Sequence, residues 1–195
     1  MSITNPDADA RDRADMARLA AGEDAALNDL MDRHATPVFH FLRRLLGNED
    51  DAGDLAQETF VRVHRARDRF RPGEKFTTWL YAIAANLARN QFRWRTRHPN
   101  VPLDSGTDEN PGTGEILTSG VPLPNEQALA IERTTAVQAA VNQLPADLRE
   151  AIVLCELEER SVAEAAAVLA STPKAVESRL YRARKILREQ LASWL

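Results

Sequence analysis

A stretch rich in proline, glycine, serine and threonine in the middle of the chain constrains the fold most. Residues 99–124 hold five of the ten prolines in this chain of 195 residues. They show neither the alternation of a strand nor the spacing of an amphipathic helix. Such a composition is typical of a flexible linker. Because the sequence on both sides has helical periodicity, it predicts an all-α fold with two small helical domains joined by this linker.

The formal net charge of −4 conceals a segregation of charge along the chain. Residues 1–58 carry 13 acidic and 6 basic side chains, whereas residues 60–98 carry 2 acidic and 10 basic ones. Residues 99–126 have five carboxylates and no lysine or arginine, and residues 172–188 have six basic side chains and one acidic one. Two basic segments separated by an acidic spacer indicate macromolecular partners better than the overall charge does.

The composition also limits the compartment of the protein. No stretch approaches the roughly 20 apolar residues that cross a bilayer, and residues 1–18 lack the apolar middle of a signal peptide. We therefore expect a cytoplasmic protein without membrane insertion. The single cysteine, Cys155, lies in the apolar run AIVLC and is expected to be a buried small side chain.

The N-terminal half contains a helix with an apolar and an acidic face. Apolar and small side chains recur at three and four residues from Ala52 to Ala66, which predicts one buried stripe. Asp51, Asp54 and Glu58 fall on the opposite face with Gln57 beside them. A turn is predicted at residues 71–74, and helix resumes at Phe76.

The helix that begins at Phe76 carries a stripe suited to nucleic acid. Its members are spaced by seven, four, three and four residues and therefore share one face. They combine an aromatic ring, amides and guanidinium groups, which stack on bases, bond to base edges and neutralise phosphates. The stripe consists of Trp79, Asn86, Asn90, Arg93 and Arg97.

The C-terminal half predicts a helix-turn-helix domain after a helix over residues 143–156. A short helix over residues 162–169 is followed by a tight connection at residues 170–172. Thr172 can then cap a longer helix that has Pro173 at its first position and runs to about Leu191. The exposed face near the start of this helix is polar and basic, as in a recognition helix.

Three motifs in this order resemble the extracytoplasmic-function group of bacterial RNA polymerase sigma factors, a stress-response group. DLAQETF at residues 54–60 is similar to the core-polymerase segment of the second conserved region. Residues 69–93 are similar to the promoter-melting segment, and residues 161–187 to the helix-turn-helix of the fourth region. The resemblance implies region 2 over residues 1–98, a linker over 99–125 and region 4 over 126–195.

The resemblance implies several partners. Asp54, Gln57 and Glu58 match the motif that binds the clamp of the largest polymerase subunit, and Asp51 extends the same acidic face. Region 4 is expected to meet the flap of the polymerase. Promoter DNA is the second partner, and an anti-sigma factor that covers the polymerase-binding surfaces is the third.

The resemblance also implies the residues that read the minus-ten element. In the family the melting helix and its preceding loop trap a base flipped out of the duplex. Phe70, Tyr81 and Asn86 match those positions, while Trp79 matches an aromatic residue that also packs in the core. With the stripe residues, the expected contacts are Arg62, Phe70, Trp79, Tyr81, Asn86, Asn90, Arg93 and Arg97.

Ser178, Tyr181 and Arg182 match the residues that read the minus-thirty-five element, and Lys174, Arg184 and Lys185 are candidate phosphate contacts. An arginine suits the edge of a guanine. The chain departs from the family at Ala170, where the turn glycine is usual, at Ala175, where threonine is usual, and at Glu177, a commonly basic position. Because glutamate accepts from a cytosine amino group, Glu177 is expected to shift the sequence preference.

Other interpretations remain open at this stage. The acidic face is also compatible with a solvated helix surface, and the aromatic residues with an ordinary core. A helix-turn-helix regulator that binds DNA alone as a dimer is the main alternative. A nuclease that holds Mg²⁺ on residues 51–58 is the second, although no second acidic cluster follows. We expect no enzymatic activity, no cofactor and no metal, because the four histidines are scattered and no phosphate-binding loop is present.

Overall fold

The computed structural model describes residues 6–71, 73–98 and 125–192, and every regular element in these ranges is helical. The predicted all-α fold class with two helical domains is confirmed. The predicted linker lies outside the described residues up to position 124. The elements are α1 Pro6–Ala20, α2 Ala25–Leu46, α3 Glu49–Arg65, a 3₁₀ turn Arg67–Arg69, α4 Phe76–Arg97, α5 Asn125–Gln143, α6 Ala146–Ile152, a π turn Val153–Leu157, α7 Val162–Val168 and α8 Pro173–Gln190.

The corner between α2 and α3 is set by two adjacent residues. Gly47 ends α2 with φ at 70°, a left-handed conformation in which glycine carries no steric penalty. Asn48 then caps α3, because its side-chain oxygen accepts a hydrogen bond from the backbone N–H of Asp51 at 2.9 Å. A Cβ on Gly47 would lie 2.8 Å from Nδ2 of Asn142 in α5, so a larger residue there would displace the Asn142 side chain.

The helix predicted over residues 143–156 begins at Ala146 and continues from α6 directly into a π turn. The helix α5 ends at Gln143, and Pro145 precedes α6 with φ at −50° and ψ at 143°, outside the helical region. Pro145 therefore occupies the N-cap position rather than the first helical turn. The last part of the predicted helix is the π turn Val153–Leu157. The side chain of Cys155 in this turn is half-buried, not fully buried as the sequence predicted.

One continuous apolar core runs through both halves of the chain. Phe41 and Leu45 of α2 and Leu80 of α4 are fully buried, and they belong to the same cluster as Leu148 of α6 and Leu154 of the π turn. The helices before and after the linker therefore pack on each other. Their shared core buries apolar surface that neither half covers alone.

Polar contacts join the two halves at the rim of this core. Glu158 accepts hydrogen bonds from Arg44 at 2.5 Å and from the Tyr81 hydroxyl at 3.2 Å, and the Arg160 guanidinium lies 4.5 Å from the centre of the Tyr81 ring. Burial, with a further contribution from the charge of Glu158, raises the pKa of Tyr81 to about 12, so its hydroxyl keeps the proton that it donates. Lys75 pairs with Glu164 at 2.8 Å.

Candidate nucleic-acid interface

The stripe predicted on α4 is exposed in the structure. Asn86, Asn90, Arg93 and Arg97 lie on the solvent side of the helix, while Leu80, on another face, is fully buried. Neither of these two arginines has an ion-pair partner among the described residues. Both line a cavity that also holds Asp147 and Glu150 of α6, without forming an ion pair there.

A cavity of about 400 Å³ opens at the N-terminal end of the stripe. Trp79 forms one wall while its remaining surface packs against the apolar core, which explains how a core aromatic also reaches the surface. Asn86 places its amide at the rim. Concave walls with one aromatic ring, one amide and several guanidinium groups suit an unstacked base and its phosphate. The lining residues are Arg62, Arg65, Ala66, Arg69, Trp79, Ile83 and Asn86.

The structure does not bring Tyr81 to this face. At about 100° per residue, Tyr81 lies roughly 140° around the α4 axis from Asn86. Its ring is 3 % exposed, lies 4.8 Å from the ring of Phe41 and points toward the C-terminal half. Phe70 is nearer to the cavity, because its ring lies 5.4 Å from that of Trp79, but it is half-buried.

Sequence reasoning missed three side chains of this surface. Arg65 and Arg69 line the cavity from α3 and from the 3₁₀ turn that follows it. Trp94 is 51 % exposed, an unusual state for the largest apolar side chain, and it follows Asn90 by one helical turn. The i, i+4 spacing of Asn86, Asn90 and Trp94 is the signal that was available in the sequence.

The acidic face of α3 is divided in two by its contacts. Asp54 and Gln57 are exposed, and Glu58 is half-buried in an ion pair with Arg62 at 2.8 Å. Asp51, in contrast, is bound by Arg95 and accepts a hydrogen bond from Gln91, both on α4. The carboxylate of Asp51 thus holds α3 against α4 and is less available to another molecule.

The helix-turn-helix of the C-terminal half consists of α7, a tight turn and α8. Ser161 and Glu164 form a capping box at the start of α7. The Thr172 hydroxyl accepts a hydrogen bond from the backbone N–H of Ala175 at 3.2 Å, and Pro173 occupies the first position of α8, which confirms the predicted cap. The turn between them places Ala170 at a positive φ of 48°.

One face of α8, from Lys174 to Lys185, presents the predicted duplex-reading residues to solvent. Tyr181 is 73 % exposed, and Arg184 is exposed but pairs with Glu156 at 2.5 Å. Val176 and Leu180 are buried against α6 and α7, which fixes the direction of the opposite face. The exposed residues are Lys174, Glu177, Ser178, Tyr181, Arg182, Arg184 and Lys185.

Replacing Ala170 by glycine is expected to stabilise the fold by about 1 kcal/mol, because glycine adopts a positive φ without the Cβ clash that alanine suffers. Equilibrium urea unfolding of the two proteins measures this difference. Ala167→Gly is the control, because Ala167 is an exposed residue within α7 and loses about 1 kcal/mol there. Equal destabilisation by both glycines would contradict the assignment of strain to the turn.

The described ranges contain neither a metal-binding cluster nor a membrane-spanning helix. These ranges contain no group of three or more His, Cys, Asp or Glu side chains that is arranged to hold a metal ion. Within them, no helix is both long enough and apolar enough to span a membrane. The basic α4 face and the helix-turn-helix are instead the features of a DNA-binding transcription factor.

Comparison with known proteins identifies the family. Residues 30–98 match Sigma-70 region 2, and residues 134–187 match Sigma-70, region 4. The chain is 34 % identical over 173 residues to the ECF RNA polymerase sigma factor SigW of Bacillus subtilis, covering 87 % of this chain and 91 % of that protein. It is also 34 % identical over 177 residues to the ECF RNA polymerase sigma-E factor of Escherichia coli, covering 90 % and 92 %. The protein belongs to the ECF sigma factors.

Solved structures agree with this assignment. The structure of CnrH in complex with the cytosolic domain of CnrY matches with a TM-score of 0.67 and 29 % identity, covering 94 % of this chain and 98 % of that chain. The sigma factor RpoE in complex with the anti-sigma factor NepR from Bartonella quintana matches with a TM-score of 0.65 and 27 % identity, covering 85 % and 96 %.

Proposed function

We propose that this ECF sigma factor binds core RNA polymerase, directs it to specific promoters and opens their minus-ten element. The observation that carries the proposal is the exposed stripe of Asn86, Asn90, Arg93 and Arg97, whose first residue lines a basic cavity with an aromatic wall. A regulator that contacts only duplex DNA through α8 would not require this exposed stripe and cavity on α4.

Polymerase binding is assigned to the exposed part of the acidic face of α3. Asp54 and Gln57 are free to meet a basic surface, and Glu58 can exchange its ion pair with Arg62 for one with the clamp. Val61 follows Gln57 by one turn and is 40 % exposed, which adds an apolar contact to the same patch. Asp51 contributes indirectly, because its contacts with α4 fix the position of α3.

Opening of the minus-ten element requires binding energy rather than a catalytic group. Unstacking a base costs a few kcal/mol, and stacking together with hydrogen bonds to the base edge offsets that cost. Trp79 supplies the stacking surface and Asn86 the edge contact, while the arginines on the stripe and around the cavity neutralise phosphates. Tyr81 was expected at the DNA, and we assign it a different role. Its contacts with Glu158 and Arg160 orient α4 against the C-terminal half.

Reading of the minus-thirty-five element is assigned to the exposed face of α8. Arg182 can donate two hydrogen bonds to a guanine, and Glu177 can accept from a cytosine amino group. Glu177 lies in the first half of the helix and Arg182 just past its middle, and both are exposed. Lys174 and Lys185 add phosphate contacts that are independent of sequence.

A protein inhibitor is proposed as the third partner. Both of the similar solved structures described above are complexes with a second protein, and the protein bound to the sigma factor RpoE is the anti-sigma factor NepR. An inhibitor that covers the α3 patch, formed by Asp54, Gln57, Glu58 and Val61, would prevent polymerase binding by occupying the same surface.

Reconstituted core polymerase with and without the protein tests the proposal. Permanganate footprinting and run-off transcription from a small promoter library are expected to show opening only when both components are present. Protection of a duplex site by the protein alone, with no opening by any competent core enzyme, would instead support the DNA-binding regulator that acts without polymerase.

A further inference from the structure

The exposed face of α4 does not end at the predicted stripe. Asn86, Asn90, Trp94 and His98 follow one another at intervals of four residues, so they form a continuous row along the helix. The row begins at the rim of the basic cavity and ends at the last residue described before the linker. Its first half carries amides and its second half carries aromatic rings.

The two aromatic rings already form a stack. The Trp94 and His98 ring centroids lie 5.0 Å apart with an angle of 23° between the ring planes. The His98 Nδ1 also lies 3.1 Å from the backbone carbonyl oxygen of Trp94, which fixes the imidazole in place. The histidine therefore supports one face of the indole and restricts its rotamers, while 51 % of Trp94 stays exposed.

The surroundings of this stack favour an anionic occupant with a flat ring. Arg93 and Arg97 neighbour Trp94 on the same helix and line a cavity beside it together with Asp147 and Glu150. Neither arginine has an ion-pair partner among the residues that the structure describes. A base can stack on the indole while its phosphates meet these guanidinium groups. An apolar protein partner, in contrast, would leave two desolvated arginines without compensation.

We propose that Trp94, supported by His98, is a second base-stacking site for the promoter strand. The site is separate from the cavity at Asn86, because eight residues of helix span about 12 Å. A stacked strand advances about 3.4 Å per nucleotide, so the two sites are three to four nucleotides apart. The inference rests on the proposed function, since it assigns a further contact to the strand that the cavity is proposed to bind.

A scan with abasic nucleotides tests the site in the reconstituted holoenzyme. Each nucleotide of the single-stranded minus-ten segment is replaced in turn by an abasic residue, which removes the base and keeps the phosphate. With the wild-type protein we expect two sensitive positions, three to four nucleotides apart, each weakening binding about tenfold. With Trp94→Ala the intact strand binds about tenfold more weakly, and one of the two positions loses its sensitivity.

Three variants make the result specific. Trp94→Phe keeps a stacking ring and is expected to retain most of the affinity and both sensitive positions. His98→Ala removes the supporting ring and is expected to weaken binding less than Trp94→Ala. His40→Ala removes an exposed ring from α2, outside both DNA-binding surfaces, and it should leave the abasic profile of the minus-ten strand unchanged.

The possible outcomes separate this inference from the proposed function. The second stacking site is disproved if Trp94→Ala keeps both sensitive positions, or if it weakens polymerase binding without changing the abasic profile of the strand. In either case the proposed function stands. If the wild-type holoenzyme shows no sensitive position at all, the proposed function itself fails, and the inference fails with it.

Discussion

Replacing Asn86 by alanine is expected to reduce promoter opening by the holoenzyme about tenfold or more, with polymerase binding unchanged. The side chain is exposed at the rim of the basic cavity, where its amide can bond to the edge of an unstacked base. Such a contact is worth about 1–3 kcal/mol, and each 1.4 kcal/mol corresponds to a factor of ten. Permanganate reactivity of the minus-ten bases and the run-off yield measure the loss.

A matched variant tests whether the loss of promoter opening depends on where the asparagine lies. Asn28 is also an exposed asparagine, but it lies near the start of α2, outside both the cavity and the α3 patch. Asn28→Ala should therefore open promoters like the wild type. If the two alanine variants behave alike, the amide of Asn86 makes no contact in the open complex.

Replacing Arg149 by alanine is expected to destabilise the whole fold by about 3 kcal/mol. Its guanidinium donates to the carbonyl oxygens of Leu45 at 2.7 Å and of Leu144 at 3.1 Å, and also to that of Asn142. Leu45 and Asn142 lie in the last turns of α2 and α5, so one cation satisfies carbonyl groups at two helix C-termini. The guanidinium also lies 5.3 Å from the centre of the Phe92 ring.

This loss should appear in thermal unfolding followed by circular dichroism. For a chain of this size, 1 kcal/mol shifts Tm by about 2–4 °C, so a decrease of roughly 6–12 °C is expected for Arg149→Ala. Arg149→Lys keeps the charge but lacks the planar guanidinium group, so its Tm should lie between those of the wild type and Arg149→Ala. Arg188→Ala removes an exposed arginine from α8 and is expected to change stability by no more than about 0.5 kcal/mol. A decrease below 2 °C for Arg149→Ala would show that water replaces the guanidinium at these carbonyls.

The helices and their functional faces could be predicted because both depend on local spacing. Apolar side chains at three and four residues define the buried side of α3 and α8, and the polar residues between them necessarily face outward. Thr172 and Pro173 set the start of α8 through one hydrogen bond and one fixed φ angle. These features involve neighbours within one turn, which a linear sequence displays directly.

The errors arose where distant parts of the chain meet. Arg44 binds Glu158, more than a hundred positions later, and no neighbour in the sequence indicates this partner. The hydroxyl of Tyr81 reaches the same carboxylate, so a side chain expected at the DNA faces the C-terminal half. Helical periodicity specifies the angle of a residue around its own helix, but it does not specify which helix lies opposite.

The sequence by itself determined the helical class, the two helical halves, the acidic face of α3, the stripe of α4 and the helix-turn-helix. Only the tertiary structure decided that the two halves share one core, that Asp51 is bound by Arg95, and that Arg65 and Arg69 join Trp79 and Asn86 around one cavity. The physical reason is that spacing along a helix is a local property, whereas a cavity and an interdomain contact require side chains from separate helices to meet in space.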